Sequence, residues 1–256
     1  MIAEERWSHI VALVNERGVM TVSQLMEALD ASESTVRRDL VRLDDMGRLH
    51  KVHGGATRLA TSEMVMVDES MSGRKMYHME EKRAIGAYAA TLIKPGDFVF
   101  IDGGTTTECL VDAITETNAT YLTNSLPHAQ KLLSKGCRTL LPGGEVKPLT
   151  EVLIGSETVD SIRRYHFTIG FWGTNGAALD SGFTTPEFNE AAVKRIGIEN
   201  TLHPYVLCDS SKFSSVALIT FAEFKDAIVV TDRITREEMR QTDNIIQVSD
   251  GIGAAY

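Results

Sequence analysis

At 256 residues, 43% of them hydrophobic, the chain has room for one large domain or two unequal ones and ample apolar content for a core. A net charge of -9 argues against a protein that coats nucleic acid regardless of sequence, because such binding rests on a positive field. The isolated Cys109, Cys137 and Cys208 form neither a disulfide framework nor a zinc motif, and the histidines lack metal-ligand spacing, so no metal and no cofactor are expected. With no bilayer-length apolar run and no signal-peptide pattern, a cytoplasmic protein with no membrane partner is expected.

In chain order, Trp7, Ile10, Val11 and Val14 recur at helical spacing, and Gly18 follows as a stop. Thr21 with Gln24 three residues on makes a capping-box start for a second helix, whose stripe is Val22, Leu25, Met26 and Leu29. After the turn Asp30-Ala31-Ser32, a third helix over about 33–46 buries Val36, Leu40 and Leu43. Two helices joined by so short a turn match a helix-turn-helix. Ser34, Thr35, Arg37, Arg38 and Arg42 lie away from that apolar stripe, where a recognition helix presents side chains to base edges and phosphates. The segment from Arg48 to Ala56 reads as a β-wing with a glycine turn, and its Lys51 and His53 are candidate DNA contacts. Residues 1–58 hold 8 Lys/Arg against 9 Asp/Glu, so the basic groups are local to one helix and the wing.

Glu5-Arg6, Val19-x-Thr21-Val22-x-x-Leu25, Ser34-Thr35-Val36-Arg37-Arg38-Asp39-Leu40 and Gly47-x-Leu49-x-Lys51-x-His53-Gly54-Gly55-Ala56 together give this region its pattern. On those residues it resembles the DeoR family of bacterial transcription regulators. The resemblance implies a winged helix-turn-helix over residues 1–58 that binds double-stranded operator DNA, usually as a repressor. Residues 59–76 show no clean period and read as a linker, partly helical, whose methionines pack against a neighbouring domain.

From residue 77 to 256, helical and strand-like segments alternate, which indicates an α/β domain with a mainly parallel sheet and ligands at the carboxyl ends of its strands. The run Asp97–Ile101 is a buried strand after Pro95-Gly96, and Asp102-Gly103-Gly104-Thr105-Thr106 is a strand-to-helix turn suited to an anion. Neither a nucleotide P-loop nor a dinucleotide fingerprint is present. Thr185-Pro186 reads as the start of a helix over about 186–199, on which Glu190 and Lys194 sit i, i+4, their bland reading being an exposed ion pair. Thr123-Asn124-Ser125, Gly173-Thr174-Asn175-Gly176-Ala177 and Asp209-Ser210-Ser211-Lys212 follow three further strands. Four such polar strand ends on one rim make a site for a polyhydroxylated anion.

The resemblance continues here in Glu81-Lys82-x-x-Ile85, Asp102-x-Gly104-Thr105-Thr106, Thr123-Asn124-Ser125, Pro142-Gly143-Gly144, Gly182-Phe183-Thr184-Thr185 and Asp209-Ser210-Ser211-Lys212-Phe213. It implies the family's C-terminal sensor domain, similar in fold to sugar-phosphate isomerases, with a phosphorylated sugar as effector. By position, Gly104, Thr105 and Thr106 hold the phosphate, while Asn124, Lys194, Lys212 and Lys82 line the site beside Asp102 and Gly103. The expected protein is a homodimer or homotetramer that represses a sugar-utilisation operon, with no catalytic residues. The alternative is a sugar-phosphate isomerase or deaminase carrying an accessory DNA-binding module. Against it, the strand-end carboxylates that such chemistry needs are replaced by Gly173-Thr174-Asn175.

Overall fold

A computed structural model describes residues 3–17, 19–46, 48–52, 54–58, 63–65 and 77–248. It divides into two compact units, Met1–Thr61 and Ser62–Tyr256.

The first unit runs α1 (Ala3–Arg17), β1 (Val19–Thr21), α2 (Val22–Leu29), α3 (Glu33–Asp45), β2 (Leu49–Val52) and β3 (Gly55–Arg58). The Thr21–Gln24 capping box forms: Thr21 donates its amide to Gln24 Oε1 at 2.9 Å and accepts the Gln24 amide at 3.2 Å. Ser32 caps α3 by accepting from the Thr35 amide. The three helices close over Ile10, Val14, Leu25, Val36, Leu40 and Leu43, all buried. Beyond the two wing strands, β1 adds to the sheet, in the antiparallel order β1-β3-β2. Gly55 sits where β3 crosses β1, and a Cβ there would lie 2.2 Å from the Met20 carbonyl.

The second unit runs β4 (Glu63–Val65), α4 (Met79–Thr91), β5 (Phe98–Ile101), α5 (Thr105–Ala113), β6 (Thr120–Thr123), α6 (Leu126–Ser134), β7 (Arg138–Leu140), β8 (Glu145–Lys147), β9 (Val152–Ile154), α7 (Ser156–Ile162), β10 (Phe167–Gly173), β11 (Gly176–Ala178), β12 (Gly182–Thr185), α8 (Phe188–Glu199), β13 (Thr201–Leu207), β14 (Ser215–Ala217), β15 (Ile219–Ala222), β16 (Ile228–Thr231) and β17 (Ile245–Gln247). Seven strands make one parallel sheet, β17-β16-β13-β10-β5-β6-β7. The chain builds outward from β5 through β6 to β7, then returns to β10 and builds the other way. Strand order therefore reverses between β5 and β10, and a crevice opens at such a switch point. Two apolar cores cover the sheet. In one, Phe100 stacks on Trp172 with ring centroids 5.1 Å apart; the other gathers Ile101, Leu110, Tyr121 and Phe171.

Two expectations are corrected. Glu63–Val65, placed in the unstructured or helical linker, is a strand that pairs in parallel with β14. Three residues carry too little periodic signal to reveal this. The rest of 59–76, including the packing expected of Met66, Met71 and Met76, lies outside the described residues. Thr185-Pro186 does not start a helix. Thr185 ends β12, and Glu187 is the cap of α8, accepting from the amides of Asn189 at 3.1 Å and Glu190 at 2.8 Å.

Candidate functional site

On α3, Ser34, Arg37, Arg38 and Arg42 are exposed and Thr35 is half-buried, and Lys51 stands exposed on β2. His53 lies outside the described residues. Arg37 bridges Glu33 at 2.8 Å, with both side chains more than half exposed, so the pair adds only ~0–1 kcal/mol and the arginine can be redirected. Arg42 is less free, because its guanidinium lies 5.7 Å from the centre of the Trp7 ring.

Asp39, on the same helix, is buried and anchors it to α1. It takes both guanidinium bonds from Arg6, and Trp7 Nε1 donates to it at 2.7 Å. Burial pushes the Asp39 carboxyl up, but Arg6 and Trp7 outweigh that and hold it below its ordinary range. Arg6, Trp7 and Asp39 were not among the candidate site residues. The signal available was a lone acid inside the arginine-rich Arg37-Arg38-Asp39, at a position shared with the apolar stripe.

In the second unit, a cavity of about 320 Å³ opens at the carboxyl ends of β13, β10, β5 and β6. Asp102, Gly103, Gly104, Thr105, Thr106, Asn124, Lys194, Lys212 and Lys82 all line it, with Thr174, Asn175 and Asp209. This size lies at the small end of the ~300–1,000 Å³ usual for small-molecule sites, so it fits one sugar phosphate better than a dinucleotide. The loop is fixed from both sides. Asp102 receives the Gly173 amide at 3.3 Å, and Gly103 donates its amide to Asn124 Oδ1 at 3.1 Å. A Cβ on Gly103 would lie 2.2 Å from Val152 Cγ1, so any larger residue there would force the Val152 side chain to move. Gly104 then caps α5, whose first turn begins two residues earlier than the sequence suggested and brings Thr105 and Thr106 to the cavity.

The bland reading of Glu190 and Lys194 as an exposed ion pair does not hold, and Lys194 lines the cavity instead. Lys194 is 5% exposed and its ammonium bonds Asp102, with a further bond to the Gly173 carbonyl at 3.1 Å. Burial pushes the Asp102 carboxyl above its ordinary range against the pull of Lys194. Glu190 instead accepts from Lys147 at 2.9 Å and from Thr150 at 3.0 Å. Burial acts to raise Glu190, yet Lys194, Lys147 and Thr150 together hold it below its ordinary range. Lys82 is 4% exposed and donates to the Tyr77 carbonyl at 2.8 Å. Tyr77, His78, Thr150 and Glu190 are lining residues absent from the candidates, since no local motif marks them.

Residues 6–62 match the DeoR-like helix-turn-helix domain, and residues 77–233 match the DeoR C terminal sensor domain. Over 232 residues the chain is 35% identical to the "Uncharacterized HTH-type transcriptional regulator FruR" of Bacillus subtilis (strain 168), covering 90% of this chain and 91% of that one. It is 34% identical over 238 residues to the "Lactose phosphotransferase system repressor" of Streptococcus mutans serotype c, covering 91% and 93% respectively. Among solved structures, the ribose 5-phosphate isomerase of Methanocaldococcus jannaschii aligns at a TM-score of 0.38 and 14% identity, over 54% of this chain and 55% of that one. Among the described residues no helix is long and apolar enough to cross a membrane. With both halves matched and relatives aligned over nearly the whole length, this chain belongs to the DeoR family of DNA-binding transcriptional regulators.

Proposed function

We propose that this chain is a cytoplasmic repressor of a sugar-utilisation operon, acting as a homodimer or homotetramer, and that a phosphorylated sugar in the β13–β6 cavity controls its hold on operator DNA. The observation that carries the reading is the convergence of all four polar strand ends, with Lys82 and Lys194 from two helices, on one cavity. Relatives named as repressors of a lactose phosphotransferase system support the sugar class. In this reading α3 lies in the major groove, and Arg37 and Arg38 reach base edges or phosphates. Two half-sites in register require at least two copies of the reader.

Coupling has a local route. Lys82 donates to the carbonyl of Tyr77, and a phosphate at the loop competes for that ammonium. Ligand thereby acts on the backbone at residue 77, which continues in sequence toward the DNA-binding unit. An effector shifts operator affinity only by its differential binding to the two states.

Catalysis is not part of this reading. Asp102 is bound by Lys194, and Glu190 is held by Lys147 and Thr150, so neither stands as an unengaged base. A gel shift on the chain's own promoter region, with and without hexose and pentose phosphates, tests the proposal. The midpoint moves with one of these sugars; a midpoint indifferent to all of them contradicts control by a sugar phosphate. Sustained turnover of any phosphosugar contradicts the non-enzymatic role.

A further inference from the structure

Among the described residues, the first attachment the chain makes to the sensor fold is β4. This strand begins just past the boundary of the first unit at Thr61. Its backbone pairs in parallel with β14, Glu63 against Ser215, Met64 against Val216 and Val65 against Ala217. The two strands form a sheet of their own. A parallel ladder of three residues is marginal, because two strands alone gain little beyond the entropy of ordering them. Whether β4 stays paired therefore depends on how firmly β14 is held.

What holds β14 is the cavity wall, at both of its ends. At the start, Asp209 caps a short 3-10 turn over Ser210–Ser214 by accepting the Ser211 amide at 3.1 Å, and the Ser215 amide closes that turn on the Lys212 carbonyl. Asp209 and Lys212 both line the cavity. At the other end, the Ala217 amide donates to Thr184 Oγ1 at 2.8 Å. The Thr184 carbonyl in turn accepts the Asn175 amide and the Thr174 hydroxyl, each at 3.0 Å, and Thr174 and Asn175 line the same cavity. Two of the four polar strand ends are thus fastened to one three-residue strand, and that strand receives the chain arriving from the DNA-binding unit. A ligand that engages Lys212, Thr174 or Asn175 fixes the residues to which β14 is tied, whichever way round it lies in the cavity.

We propose that β4 is an effector-controlled switch: occupancy of the cavity favours its pairing with β14, and pairing shortens the tether on which each winged module reaches its half-site. Paired, the chain is anchored close behind Thr61; unpaired, the tether runs on toward residue 77, and a longer tether changes the effective concentration of one reader at its half-site. The ligand shifts this equilibrium by no more than its preference for the paired state. The proposal rests on the reading of the cavity as a sugar-phosphate site and adds the element that carries the signal. It acts at the opposite end of residues 66–76 from the Lys82–Tyr77 bond.

Hydrogen exchange followed by mass spectrometry tests it on the full chain, with and without each hexose or pentose phosphate that calorimetry shows to bind. Amides in peptides spanning 63–65 and 215–217 are expected to exchange roughly tenfold or more slowly with the phosphosugar present. Successive amides of a strand face opposite edges, so the double variant Met64→Pro, Val65→Pro removes at least one that faces β14. In it the same phosphosugar still binds, while its displacement of the operator-binding midpoint falls from the five- to one-hundred-fold expected of the wild type to less than about twofold. The double variant Met64→Ala, Val65→Ala keeps the amides and keeps the response. A phosphosugar that binds without slowing exchange in both strands, or a proline variant that responds like the wild type, overturns β4 as the switch and leaves the sugar-phosphate site standing. Should the prolines unfold the chain, the exchange result on the wild type decides alone. A panel in which no phosphosugar binds overturns the switch and the sugar-phosphate reading together.

Discussion

Arg37 and His128 show how single side chains tie this protein to measurable behaviour. Arg37 gives up only a solvent-exposed bridge to Glu33 when it turns to DNA. Arg37→Ala is therefore expected to weaken operator binding by about 1–3 kcal/mol, through a lost base or phosphate contact. An unchanged gel-shift midpoint would remove it from the reading face. His128 lies fully buried on α6, and neither ring nitrogen has a hydrogen-bond partner among the described residues. Burial lowers its pKa from the ordinary 6.5 to about 4. In that window the unfolded chain binds a proton that the folded one refuses. Stability is thus whole above about pH 6.5 and falls as pH drops toward 4, by up to about 3 kcal/mol. His128→Leu should flatten this part of the pH dependence of chemical denaturation, and an identical slope in wild type and variant would show that the imidazole is not responsible.

Among the elements, α3 is held to α1 by a clasp in which the Asp39 side chain is 8% exposed and that of Arg6 18%. Asp39→Ala should cost the first unit about 1–3 kcal/mol, the lower range for a pair that keeps some solvent, and loosen the helix that reads DNA. Melting followed by circular dichroism, beside a gel shift, checks this; unaltered melting together with unaltered operator affinity would count against the clasp. The same elements show where sequence suffices. Thr21–Gln24 and Ser32 act on amides three residues away, so both helix starts were legible, and the glycine loop announced itself by composition. Thr185-Pro186 misled because a Thr-Pro pair also fits a strand end, while Glu187 did the capping. Glu190 and Lys194 misled for another reason. Spacing pairs them on one helix, but their partners are Lys147 and Asp102, 43 and 92 residues away. Those distances are closed only by the sheet's switch point and the β8–β9 hairpin, which local periodicity does not encode.

For the whole molecule, a net charge of -9 and an operator-binding role are compatible because α3 presents Arg37, Arg38 and Arg42 exposed within six residues, a local basic group that does not depend on the sign of the total charge. The second unit places its cavity where strand order reverses and commits most of its buried charge to pairs, which leaves half-buried Lys212 as the cation best placed to answer a phosphate. Lys212→Ala is expected to raise roughly tenfold or more the concentration of sugar phosphate needed to alter operator binding. Equal responsiveness in that variant would take the lysine out of the site. The measurement that bears most directly on the account is the operator-binding isotherm of the full chain with and without a saturating sugar phosphate. The account predicts a midpoint displaced by about five- to one-hundred-fold, the usual span of a coupling free energy between two sites. A midpoint that stays put while calorimetry shows the same sugar phosphate occupying the cavity would contradict it.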